Sequence, residues 1–175
     1  MERDSLATLP NIISLSRLVL AVAFVRFKGS DERLLVIAAA GATDFLDGYL
    51  ARTRGSATRW GALIDPIADR FFMFAAVSAL LFDGELHTWQ YAILISRDFM
   101  TAIGFLTARL IPWLRSVTFQ SRRSGKVVTL LQLATLALVF IAPQQLNVAL
   151  AFVAVASLFS VGDYTLALWN ARSRA

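Results

Sequence analysis

The chain has 175 residues, 57% hydrophobic and 17% charged, with a formal net charge of +5 and a mean hydropathy of +0.62. That is too apolar for an ordinary soluble domain and too short for several, so it predicts one membrane domain over residues 1–175. Cysteine is absent, which excludes a disulfide framework and thiolate chemistry. The basic residues fall between apolar stretches, a pattern suited to anionic headgroups or phosphate-bearing substrates and not to nucleic acid.

In chain order, six stretches approach the roughly twenty apolar residues that span a bilayer as a helix. The first runs from about Pro10 to Phe27, with Pro10 at a first helical position. Its Ala21-Val22-Ala23 has the form of a signal cleavage site, but Glu2 and Asp4 in the flank and Arg17 inside the apolar run predict a retained helix. The second runs from about Asp31 to Arg52, capped by Ser30 or Asp31. The third covers about Ala62 to Phe82 and ends at the turn pair Asp83-Gly84. The fourth covers about Thr88 to Ile111, stopped by Pro112, the fifth about Lys126 to Ile141, stopped by Ala142-Pro143, and the sixth about Leu146 to Asn170. The fold class is therefore all-α, a polytopic membrane protein of six transmembrane helices.

Lys and Arg set the orientation, because cytoplasmic flanks are enriched in them. One side collects Arg3, Arg52, Arg54, Arg59, Arg115, Arg122, Arg123, Lys126, Arg172 and Arg174. The other has Arg26, Lys28 and Arg33, and its loops at Asp83–His87 and Pro143–Gln145 have none. Both termini are thus expected in the cytoplasm.

This topology brings four carboxylates to one depth. Asp44 and Asp47 fall near the cytoplasmic end of helix two, and Asp65 and Asp69 near the cytoplasmic start of helix three. Spacings of three and four put each pair on one side of its helix. One Asp at a membrane helix centre costs roughly 2.5 to 3.5 kcal/mol, so such a group needs a cation or water. Oxygen donors at this density suit a hard divalent cation, and four acids can hold two ions. Gly48, Ala51 and Gly61 allow close approach of backbone and ligand, and Arg52 supplies a cation for phosphate oxygens. Metals and an arginine beside acids at a lipid interface point to phosphoryl chemistry on a lipid.

Read in order, Asp44, Asp47, Gly48, Ala51, Arg52, Gly61, Asp65 and Asp69 fill every fixed position of D-x2-D-G-x2-A-R-x8-G-x3-D-x3-D. The chain thereby resembles the CDP-alcohol phosphatidyltransferases, and the six-helix reading fits that family's transmembrane fold. The resemblance implies transfer of a phosphatidyl group from CDP-diacylglycerol to an alcohol acceptor, with release of CMP. It implies that Asp44, Asp47, Asp65 and Asp69 bind Mg²⁺ or Mn²⁺, as two ions, and that Asp69 is also the general base. Gly48, Ala51, Arg52 and Gly61 match the positions that hold the CDP-lipid. The family further implies a homodimer in the inner (plasma) membrane with its active site facing the cytoplasm.

Two other readings of the acids compete: a structural ion-pair cluster with Arg17, Arg70 or Arg97, and a cation transport path. Acids along a path would stand at several depths, whereas these share one level.

The acceptor must be read from other charges. Arg97 in helix four, Arg123 and Lys126 at the entry to helix five, and Arg17 in helix one are candidate acceptor-binding residues, and a cationic pocket suits an acceptor carrying its own phosphate, such as glycerol 3-phosphate. The run Gly125-Lys126-Val127-Val128-Thr129 with Gln132 resembles the G-K-x-K-T-x-x-Q segment of phosphatidylglycerophosphate synthases, with Val128 in place of the second lysine. Asp98 stands where those enzymes show Glu, and both departures lean toward cardiolipin synthases, which use phosphatidylglycerol. A phosphatidylinositol phosphate-type synthase is a further alternative. His87 is expected to be solvated, away from the site.

Overall fold

The computed structural model describes the backbone of residues 9–54, 61–110 and 123–172, and within these the side chains of 15–46, 68, 70–96, 98–100, 127–160 and 162. The described residues form six α-helices: α1 Leu9–Arg26, α2 Ser30–Arg54, α3 Gly61–Phe82, α4 Thr88–Leu110, α5 Arg123–Ile141 and α6 Leu146–Arg172, with a 3-10 turn at Pro143–Gln145 before α6. Every expected helix is present, with each end within three residues of that expected.

Two helix starts are capped by a side chain from inside the helix, and at α2 the cap differs from that expected. The Gly29 carbonyl accepts the first helical bond of α2 from Arg33 N–H at 3.0 Å, so Gly29, not Ser30 or Asp31, is the capping position. Glu32 reaches back to Gly29 N–H at 3.4 Å, which is half of a capping box. At α4, Gln90 does the same to His87 N–H at 2.8 Å, and its amide nitrogen continues to Asn147 Oδ1 at 3.0 Å, tying the start of α4 to the start of α6. His87 itself is exposed. Gly84, with φ +78°, closes the turn after α3, a conformation that favours glycine.

The chain divides into two compact units, Met1–Leu86 and His87–Ala175. In the first, α1 packs against both α2 and α3. The buried residues follow helical spacing: Arg17, Ala21 and Phe24 on α1; Arg33, Val36, Ile37 and Ala40 on α2; Ala68, Phe72, Met73, Ala76, Val77 and Leu80 on α3. Phe24 meets Phe72 edge-on, with ring centroids 6.3 Å apart. In the second unit α6 packs against α4 and α5, burying Leu94, Val128, Leu133, Leu136, Leu146, Leu150 and Val153.

Apolar side chains also cover the outside. Val19, Leu35, Leu158 and Phe159 are each at least 70% exposed. Among the described residues, Pro143–Ser160 is long and apolar enough to cross a membrane, and Arg70–Phe82 and Val127–Ile141 are shorter apolar stretches.

Arg33, which the charge count places in a loop flank, is 2% exposed. Its guanidinium pairs with Asp83 in the turn after α3, donates from Nε to the Phe27 carbonyl at 2.9 Å, and lies 5.0 Å over the Phe24 ring. Lys28 adds bonds to Asp83 at 2.7 and 3.0 Å from an exposed position. This clasp joins the α1–α2 connection to the end of α3, and its Arg33 lies about 16 Å along α2 from Asp44 at 1.5 Å per residue. Hydrogen bonds from Lys28 and Arg33 hold the Asp83 carboxyl below its ordinary value of 3.8.

Arg33→Met, which strips a mostly covered carboxylate of its buried partner, is expected to cost about 3 kcal/mol, against under about 1 kcal/mol for Lys28→Ala at the exposed position. Denaturation in detergent measures both. Because the folded-state value of Asp83 is depressed, its contribution is present above pH 3.8 and is lost as pH falls below that value. In Asp83→Asn that acid-sensitive component should disappear from the stability profile.

Candidate active site

Asp44 and Asp47 lie three residues apart in the unbroken helix α2, and Asp65 and Asp69 four apart in α3. Each pair therefore falls within about 60° around its helix axis. Both helices belong to the first unit. Asp44 has a described side chain, whereas those of Asp47, Gly48, Ala51, Arg52, Gly61, Asp65 and Asp69 lie outside the described residues.

Asp44 is 49% exposed at its side chain, and its Oδ1 lies 3.2 Å from Nη2 of Arg17, which is 2% exposed. Arg17 sits midway along α1 on the stripe that continues to Ala21 and Phe24. The residue considered for the acceptor is thus placed on the first motif acid. Ala68, between Asp65 and Asp69, is buried, so this stretch of α3 presents a small residue to the core.

A half-exposed carboxylate with one oxygen on a guanidinium retains oxygen for a hard cation, and this donor chemistry fits Mg²⁺ or Mn²⁺. Among the described residues no three His, Cys, Asp or Glu side chains gather in one place; Asp44 alone represents the motif acids there.

The acceptor candidates Arg97, Arg123 and Lys126 belong to the second unit, on α4 and α5, and their side chains lie outside the described residues. Their neighbours are described. Gln132 on α5 is wholly buried and donates from Nε2 to the Leu94 carbonyl at 2.7 Å and to Asp98 Oδ2 at 3.0 Å. It thereby ties α5 to α4 beside Arg97. Gln132 Oε1, Ser157 Oγ and Ser160 Oγ are buried without a hydrogen-bond partner among the described residues. Val128 is 1% exposed, so the position held by a second lysine in the resembling segment belongs here to the unit's interior.

Sequence reasoning left Asp98 without a partner and gave Gln132 no structural role. The available signal was spacing: Val128, Gln132 and Leu136 recur every four residues, as one buried helix face requires.

These features define a lipid-type phosphatidyltransferase motif on two helices of an apolar helical chain, and comparison with known proteins agrees. Residues 7–162 match the sequence profile of the CDP-alcohol phosphatidyltransferases, and the chain belongs to that family. It is 36% identical over 110 residues to a probable cardiolipin synthase (CMP-forming) of Drosophila melanogaster, covering 60% of this chain and 34% of the fly protein. It is 32% identical over 112 residues to a cardiolipin synthase (CMP-forming) of Streptomyces coelicolor, covering 59% of this chain and 52% of that protein. To a probable phosphatidylglycerophosphate synthase of Mycobacterium tuberculosis it is 34% identical over 150 residues, covering 81% of this chain and 69% of that protein. The chain therefore spans about a third to about two thirds of the length of these relatives.

Substituting the buried amide tests the tie between α4 and α5. Gln132→Leu removes two hydrogen bonds but also an unpartnered oxygen, and is expected to cost about 1 kcal/mol. Gln132→Glu sets a second carboxylate beside Asp98 and is expected to cost about 3 kcal/mol or more. Thermal melts of the two variants give the order, and an equal loss would contradict the assigned contact.

Proposed function

We propose that this protein is a membrane-embedded phosphatidyltransferase that moves the phosphatidyl group of CDP-diacylglycerol to an alcohol and releases CMP. The observation that carries the reading is the complete eight-residue motif on α2 and α3 of a chain belonging to this family. Apolar residues on the outside of α1, α2 and α6 support helices that face lipid. In this reading the six helices cross the membrane, both termini and the motif face the cytoplasm, and two copies associate.

Gly48, Ala51, Arg52 and Gly61 hold the cytidine diphosphate part of the donor. Asp69 takes the proton of the acceptor hydroxyl. The freed oxygen attacks the phosphorus that bears the diacylglycerol, the bond from that phosphorus to the CMP oxygen breaks, and CMP leaves with the electron pair. No covalent enzyme intermediate is needed. Two Mg²⁺ or Mn²⁺ ions held by Asp44, Asp47, Asp65 and Asp69 would offset the charge of the diphosphate.

Glycerol 3-phosphate is the acceptor that best suits Arg97, Arg123 and Lys126, since cations pair with its phosphate. The similarity over 81% of the chain to a probable phosphatidylglycerophosphate synthase supports this choice. A second reading takes phosphatidylglycerol as acceptor, as in cardiolipin synthesis. It is favoured by Val128, whose buried position contributes no cation, and by the two relatives named cardiolipin synthase.

CMP release from CDP-diacylglycerol is expected to require an acceptor and Mg²⁺ or Mn²⁺. A panel of glycerol 3-phosphate, phosphatidylglycerol, inositol phosphate and serine identifies the acceptor, and absence of CMP with all four would leave cation binding or transport as the surviving class. Asp69→Asn keeps the side-chain size while removing the base, so kcat should fall at least about 100-fold while the protein still folds. Lys126→Ala should raise the KM for glycerol 3-phosphate about tenfold, the loss of one charge-assisted hydrogen bond. The KM for CDP-diacylglycerol should stay within about twofold, and equal rises for both substrates would argue against a phosphate pocket at Lys126.

A further inference from the structure

We propose that Arg17 is the built-in counter-cation of the acid motif, a positioning residue that holds Asp44 and offsets part of the motif's negative charge when no divalent ion is bound. The inference rests on the metal-dependent reading above.

Arg17 is 2% exposed and its Nη2 stands 3.2 Å from Asp44 Oδ1. A guanidinium stays charged at any physiological pH, and once buried it needs an anion close by. The contact is asymmetric in exposure: the cation is enclosed, while about half of the carboxylate remains open. Asp44 can therefore present its other oxygen to an incoming ion without leaving Arg17. The rotation of Asp44 is fixed from the α1 side, so the open oxygen is held in one orientation.

Electrostatics assigns a second task to the same contact. Four carboxylates on two helices of one unit repel one another unless a cation is present, and each unpaired acid in an apolar segment costs roughly 2.5 to 3.5 kcal/mol. Divalent ions and Arg17 both relieve that repulsion. Each should therefore matter most when the other is missing, and their effects on stability should not add. A guanidinium serving only to join α1 to α2 would contribute equally with and without the ion. One reserved for an acceptor phosphate would alter the acceptor's KM and leave the response to ions unchanged.

The experiment measures the melting temperature of the full chain in detergent, without substrates, in EDTA and in MgCl2 or MnCl2, for wild type, Arg17→Lys and Arg17→Gln. The Arg17→Gln protein should melt lower than wild type in EDTA and recover most of the difference with the ion, so that its ion-induced shift is at least about twice that of wild type. Arg17→Lys, which keeps the charge, should show the wild-type shift. Equal shifts in all three proteins overturn the proposal while leaving metal binding intact. No shift in any of them overturns the metal reading and this proposal with it. Should Arg17→Gln fail to fold in EDTA, the double variant Arg17→Gln/Asp44→Asn, which deletes both charges, is expected to fold there; its failure to do so also overturns the proposal.

Discussion

The first unit depends on two guanidiniums that are almost wholly removed from solvent and on the carboxylates that make their burial tolerable. Arg17 reaches from α1 to Asp44 on α2, and Arg33 reaches from α2 to Asp83 beyond the end of α3. Neither cation could sit in so apolar a setting alone, because the desolvation of an unpaired charge outweighs what packing returns. Each pair also links two helices, so three helices with few polar groups are joined at two levels about 16 Å apart along α2. Apolar packing of α1 on its neighbours supplies most of the contact area, but it is non-directional. The charge pairs fix register: a helix displaced by one turn would separate its guanidinium from the only kind of group able to neutralise it.

In the second unit a neutral amide links the helices. Gln132 uses its two amide hydrogens on Leu94 and Asp98, while its carbonyl oxygen and the hydroxyls of Ser157 and Ser160 remain unpartnered among the described residues. Ser157 and Ser160 continue the buried stripe of Leu146, Leu150 and Val153 on α6, spaced by three and four residues as a helix face requires. Small hydroxyls at such positions let helices approach closely. A buried polar atom left without a hydrogen bond costs roughly 1 to 3 kcal/mol.

Helix positions were legible in the sequence because their ends carry strong chemical signals. Asp83-Gly84 and Ala142-Pro143 stop α3 and α5 where expected, since a left-handed residue and a missing N–H are local properties of the chain. Caps formed by a side chain three residues into the helix, Glu32 to Gly29 and Gln90 to His87, carry a weaker local signal than Ser30 or Asp31 at the first position of α2. The motif acids were legible through fixed spacing. Partners distant in sequence were not: Arg33 and Asp83 are 50 residues apart, and sorting charges by side assigned Arg33 a side of the membrane but no partner. For Arg17, the alternative of an ion pair with the acids describes the observed contact. That contact and a functional motif are compatible, since Asp44 keeps half of its surface open.

Donor and acceptor chemistry differ in how tightly sequence constrains them. The residues assigned to the donor sit at set intervals on α2 and α3, where changing any spacing would rotate an acid by about 100° per residue and remove it from its pair. The residues assigned to the acceptor are isolated cations on α4 and α5, whose value depends on which neighbours are buried. Val128 illustrates this. A lysine there would have to enter the interior of the second unit, where its ammonium would need a partner; valine packs there, and in the proposed reading phosphate recognition rests on Lys126 and its neighbours. In the proposed reading an acceptor preference can shift by substitution on α5 while the motif on α2 and α3 stays unchanged, and the chain is similar, over overlapping parts of its length, to relatives named for two different reactions.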